Sequence, residues 1–187
     1  MNEKKDRVTR SAGKRRVLDV VLVASFAALY TLLVYVFASV SFLQLQVRIA
    51  DALMPLTILF GWPATLGLSL GCFVANFFGG LGLVDVIGGG LANLIAGFVG
   101  WKIGSMKFNG SWVVAVLTQN LIVSFIVGSY LWVLLVIPDL TYGSIVIPGI
   151  VASWVGVFLG SLVSMNGLGY AILKALSTRT RGTEPRP

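Results

Sequence analysis

Apolar and polar positions divide this chain into long uncharged blocks separated by short polar intervals. The first block covers residues 20 to about 42 and follows a basic head. A semi-polar stretch, FLQLQVRIADAL, comes next and carries Gln44, Gln46, Arg48 and Asp51. Residues 52–84 contain no charge and are broken by Gly61-Trp62-Pro63. Residues 86–101 are uncharged again, and Lys102 and Lys107 then flank a short polar loop, FNGS. Residues 113–137 form the next block, closed by Pro138-Asp139; beyond a TYGS loop, residues 145–173 carry the last. Blocks of this length predict membrane-spanning helices, because a span takes about 20 residues. The first reads as a retained helix: it is long for a signal-peptide core and has no A-x-A site at its end.

The block at 52–84 reads as two helices. A residue before proline disfavours helix, and Pro63 suits the first turn of a new one. Charge placement decides more firmly. With six helices and the N-terminus inside, thirteen of the fourteen Lys and Arg fall on the cytoplasmic side; five helices would leave seven there. The prediction is an all-α integral membrane protein with six transmembrane helices and both termini cytoplasmic. Residues 1–16 form a basic cytoplasmic segment, 17–176 the membrane domain and 177–187 a cytoplasmic tail. A cell-membrane, multi-pass location follows. The second helix must then be short or begin near Val47, which brings Arg48 and Asp51 into its outer turns, three residues apart on one face.

Composition supports this layout. Hydrophobic side chains make up 57% of 187 residues and charged ones 11%, where globular chains average roughly 25% charged. Mean hydropathy is +0.91. The +7 net charge would suggest nucleic acid in a soluble chain, but the basic residues sit at the ends and in one loop, as membrane orientation requires. No nucleic-acid partner is expected; the lipid bilayer is.

The chain has no histidine and one cysteine, Cys72. That removes Ser-His-Asp and Cys-His nucleophiles, H-E-x-x-H zinc sites and histidine proton relays. No cofactor, no metal and no catalytic residue is expected, and the chain is not read as an enzyme. What remains is polar residues in or beside apolar blocks. Arg48, Asp51, Asn76 and Asp85 all fall near the outer face under the six-helix layout. Asn93 lies about two turns below Asp85 on roughly the same side of its helix. Each has an ordinary alternative: an Arg48–Asp51 ion pair, Asp85 as a helix N-cap, Asn93 as an interhelical hydrogen bond. Their convergence at one level favours a pocket open to the outside, because lone polar groups in lipid are costly. Gln119 and Asn120 read as helix–helix glue. Small residues recur at helical spacing: Ala24 and Ala28 in the first helix; Gly67, Gly71, Ala75 and Gly79; and Ala152, Gly156, Gly160 and Ser164. Such stripes serve packing within the molecule or against a partner.

The stretch from VRIADALMPL through LGCFVANFFGGLGLVDVIGGGLANLIA, residues 47–100, resembles the QueT family, through G-C-F-x-A-N followed by G-L-x-D-V. The resemblance implies a substrate-binding S component of an energy-coupling-factor (ECF) transporter. Such a component captures a queuosine precursor outside and docks onto a transmembrane T subunit driven by two ATPases. It implies that Ala24 and Ala28 form the docking face. The family's R-x-x-E-A-L reads here as Arg48-Ile49-Ala50-Asp51-Ala52-Leu53, with the carboxylate drawn back by one carbon. A 7-deazaguanine would offer two parallel donors to Asp85 or Asp51, and its carbonyl would accept from Arg48 or an Asn amide. Trp132 and Trp154 are candidates to stack on it, or to anchor at the membrane interface. Another vitamin such as cobalamin is the alternative ligand, and a structural membrane protein the alternative class.

Overall fold

The computed structural model describes residues 2–37, 47–106 and 108–181. The expected end of the first helix near residue 42, the Gln44 and Gln46 stretch, Lys107 and tail residues 182–187 lie outside these. Helix α1 (Asn2–Val36) is continuous across the expected boundary after residue 16. A 3-10 helix (Ile49–Leu56) runs directly into the short α2 (Thr57–Phe60). Then come α3 (Trp62–Gly79), α4 (Leu83–Gly104) and α5 (Ser111–Leu134). A small hairpin of β1 (Leu140–Tyr142) and β2 (Ile145–Ile147) takes up the TYGS loop, with Gly143 at φ +62° in its turn. The last helix is α6 (Gly149–Ser161), a π-helical stretch (Leu162–Gly169) and α7 (Tyr170–Arg181).

Among the described residues, four helical stretches are long and apolar enough to cross a membrane: Gly13–Val36, Leu83–Gly104, Ser111–Leu134 and Gly149–Thr178. The chain is thus an all-α membrane protein. The remaining two segments are α3, with 18 residues, and the apolar piece Ile49–Phe60. A short apolar helical segment thus lies where a short second helix was expected, and the reason for its form is local. Pro55 sits inside it and cannot donate an α-helical hydrogen bond. The tighter 3-10 winding rises about 2 Å per residue against 1.5 Å, so these few residues reach roughly 20 Å. Every side chain from Ala50 to Thr57 is buried.

Gly61 (φ +65°) breaks the chain between α2 and α3 as Gly-Trp-Pro predicts; Pro63 sits in the first turn of α3. Close contacts fix the direction of each segment. A Cβ at Gly67 or Gly71 would lie 2.6 Å from Val23 O or 2.7 Å from Ala27 O, so α3 runs parallel to α1 with backbones touching. Thr65 lies beside Gly97, and Ser69 Oγ donates to Gly90 O at 2.8 Å, so α4 is antiparallel to α3. Gln119 packs on Gly100 and Tyr130 on Gly88, which turns α5 back again. Trp154 covers Gly128, and Gly169 sits against Ala52 O and the Pro55 ring. The N-terminal part of α1, the α4–α5 connection and α7 therefore fall at one end of the bundle. Asp85, the Gly80–Gly82 turn and the hairpin fall at the other.

Candidate functional site

The chain's five chosen polar residues are all buried: Arg48 and Asp51 at 5% exposure, Asn93 at 3%, Asn76 and Asp85 at 0%. Asp51 lies in the first turn of the 3-10 helix, where its Oδ1 accepts from the Tyr30 hydroxyl at 2.6 Å. Tyr30 stands six residues before the end of α1, so this contact is recessed by roughly 9 Å along the helix axis. Arg48 Nη1 donates to Cys72 Sγ at 3.6 Å.

Asp85 is the third residue of α4, and the N-cap is Gly82, with no side-chain cap. The ordinary capping role considered for it is not the one it plays. Its Oδ1 accepts from the Tyr130 hydroxyl of α5 at 3.0 Å, while its backbone carbonyl accepts from Asn76 Nδ2 at 2.9 Å. That second bond fixes the Asn76 amide orientation, since only its NH2 can face a carbonyl. The amide oxygen of Asn76 is then left buried without a donor among the described residues, as is Asp85 Oδ2; Asn93 Nδ2 is buried without an acceptor. Asn93 therefore does not make the interhelical amide bond considered for it through this nitrogen.

Three successive glycines of α4 hold these parts in place. Helix geometry turns Gly88, Gly89 and Gly90 by about 100° each. Gly88 receives the Tyr130 ring, Gly89 the Asn76 amide with Cys72 Sγ, and Gly90 the Phe73 ring, which would lie 2.5 Å from a Cβ built there. Any Cβ there would displace one of them.

Other expected residues fall elsewhere. Gln119 Nε2 donates to Met54 O (3.1 Å) and Thr57 Oγ1 (2.9 Å); Asn120 Nδ2 donates to Asn166 Oδ1 (2.8 Å). Both are helix–helix glue. Trp132 donates to Ser129 O within its own helix; Trp154 donates to Ser129 Oγ at 3.0 Å and stacks on Phe125. Neither hydrogen-bonds to the Asp85 or Asp51 side chain. The aromatic residues that do are Tyr30 and Tyr130, which the sequence reading missed. Tyr30 had a signal, since Phe26, Tyr30 and Val34 form a buried stripe at intervals of four. Tyr130 had none. Among the described residues, no three His, Cys, Asp or Glu side chains gather as a metal site.

The small-residue stripes divide. Gly67 and Gly71 are used up by α1, and Gly160 and Ser164 are buried in the last helix. Ala24 and Ala28 are exposed. Beside Ala28 runs an apolar groove of about 560 Å³ between α1 and α3, lined by Thr31, Leu32, Tyr35, Val74 and Phe78 among others.

A buried, partly unsatisfied polar cluster at one end of an apolar helix bundle belongs to a membrane protein, and the comparison with known families specifies which kind. The QueT transporter family model matches residues 20–178, and the chain belongs to that family. No curated protein and no solved structure matches the chain.

Proposed function

We propose that this protein is the substrate-binding S component of an ECF-type importer in the cell membrane, crossing it six times with both termini cytoplasmic. It captures a queuosine precursor, a 7-deazaguanine, from outside and docks through Ala24 and Ala28 onto a T subunit carrying two ATPases. The observation that carries the substrate is the set of unsatisfied buried atoms. Asp85 Oδ2 and Asn76 Oδ1 are acceptors, and Asn93 Nδ2 is a donor. The pyrimidine edge of a 7-deazaguanine presents two donors, N1–H and the 2-amino group, beside one carbonyl acceptor. Buried polar groups cost free energy until a partner arrives, so a ligand of this pattern gains what the empty cluster lacks. Arg48 adjoins the same cluster through Cys72, whose Sγ faces Gly89 beside the Asn76 amide. The transporter family, the recessed position of Asp51 and the exposed Ala24/Ala28 stripe support the same reading.

Calorimetry on the purified protein tests it. The 7-deazaguanine is expected to bind, and Asp85→Ala to weaken it by about a hundredfold, the scale of a lost charge-assisted hydrogen bond. Equal affinity in the variant overturns this placement. Binding of cobalamin with no response to a 7-deazaguanine overturns the substrate.

A further inference from the structure

A second site lies at the opposite end of the bundle from the Asp85 cluster. The α4–α5 connection and α7 enclose a crevice of about 310 Å³, lined by Asn109, Gly110, Ser111, Trp112, Tyr170 and Lys174 among others. The amino end of α5 opens into it. Gly110 is the N-cap with φ +85° and supplies no side chain, and the N–H groups of Trp112 and Val113 meet no acceptor among the described residues. A 24-residue helix ending this way presents aligned donors and partial positive charge. Ser111 gives an independent indication. It is 7% exposed, lines the crevice, and its hydroxyl has no hydrogen-bond partner among the described residues. Lys174 supplies the full charge: Nζ stands 5.7 Å from the Trp112 ring centroid and 5.5 Å from that of Tyr170, held at the mouth by two aromatic faces.

We infer that this crevice binds a phosphate group, with Lys174 Nζ, the Ser111 hydroxyl and the first N–H groups of α5 as donors. The phosphate comes from an anionic phospholipid headgroup or from a soluble phosphate. The donor set suits a tetrahedral oxyanion, and among the described residues no carboxylate lines the crevice to oppose it. The indole and phenol faces flanking the lysine suit a depth where a headgroup meets acyl chains.

Native mass spectrometry of the full-length protein from mixed phosphatidylglycerol and phosphatidylcholine micelles tests the lipid source. Equilibrium dialysis with inorganic phosphate tests the soluble one. Retention of one phosphatidylglycerol in preference to phosphatidylcholine is expected. It should fall about tenfold in Lys174→Gln and in Ser111→Ala, recover in Lys174→Arg, and stay unchanged in Lys102→Gln. Phosphate binding with the same pattern of variants supports the site and assigns the soluble source. Selective binding of neither probe, or binding indifferent to both Lys174→Gln and Ser111→Ala, overturns it. Because neither readout involves the transported substrate, failure here leaves the Asp85 site untouched.

Discussion

At the residue scale, two tyrosine–carboxylate pairs govern the polar cluster. Tyr30 is fully buried and donates to Asp51 at 2.6 Å. Removing that hydroxyl leaves a carboxylate oxygen with one donor fewer in an apolar surround. Tyr30→Phe is expected to lower stability by about 1–3 kcal/mol, read as a fall in the thermal unfolding midpoint; an unchanged midpoint would mean the pair is idle. Scarcity made the acidic partners legible. In a chain with seven Asp and Glu, the two set in apolar blocks stand out, and burial of both follows from the cost of solitary charge in lipid. The tyrosines were hidden for the opposite reason. Tyr, Trp and Phe together number 21, so a phenol aimed at a carboxylate has no signature apart from the stripe in which Tyr30 sits.

At the element scale, glycine sets how close helices come. Gly71 accepts the α1 backbone with Ala27 O 2.7 Å from where a Cβ would stand, beside Tyr30 Cβ at 2.8 Å. Backbone cannot rotate aside as a side chain can. Gly71→Ala is therefore expected to cost about 1–3 kcal/mol by overpacking and, by pushing Tyr30 off Asp51, to weaken ligand affinity as well. Paired thermal unfolding and calorimetry would show both losses; loss of neither would show that α1 yields freely. The periodic small residues announced this stripe in the sequence. The 3-10 winding of Ile49–Leu56 and the π-helical stretch of Leu162–Gly169 were not announced. Their apolar composition fits any helix, and the winding is settled by Pro55 and by the contact of Gly169 with Ala52 O and the Pro55 ring, neither of which a periodicity encodes.

At the scale of the whole molecule, one stripe of small residues lies exposed on α1, and the proposed docking rests on it. Ala24 and Ala28 are exposed although the neighbouring Phe26 and Tyr30 are buried. Ala28→Leu should leave folding and substrate affinity intact, since its side chain projects outward, and should abolish co-purification with an ATPase-bearing complex. Pull-down from membranes checks it, and undiminished recovery of the complex would remove this face from the docking surface. Lys102 and Lys174 lie at the end of the bundle where the α4–α5 connection and α7 meet. The mechanics of the bundle depend on Gly88, Gly89 and Gly90. Rings or an amide lodge against these three successive positions, while Leu83, Ile87, Leu91, Ile95 and Phe98 leave the other face of α4 exposed. The helix is keyed to α5 through Gly88 and to α3 through Gly89 and Gly90, so any turn of α4 about its own axis has to carry the Tyr130 ring, the Asn76 amide and the Phe73 ring with it.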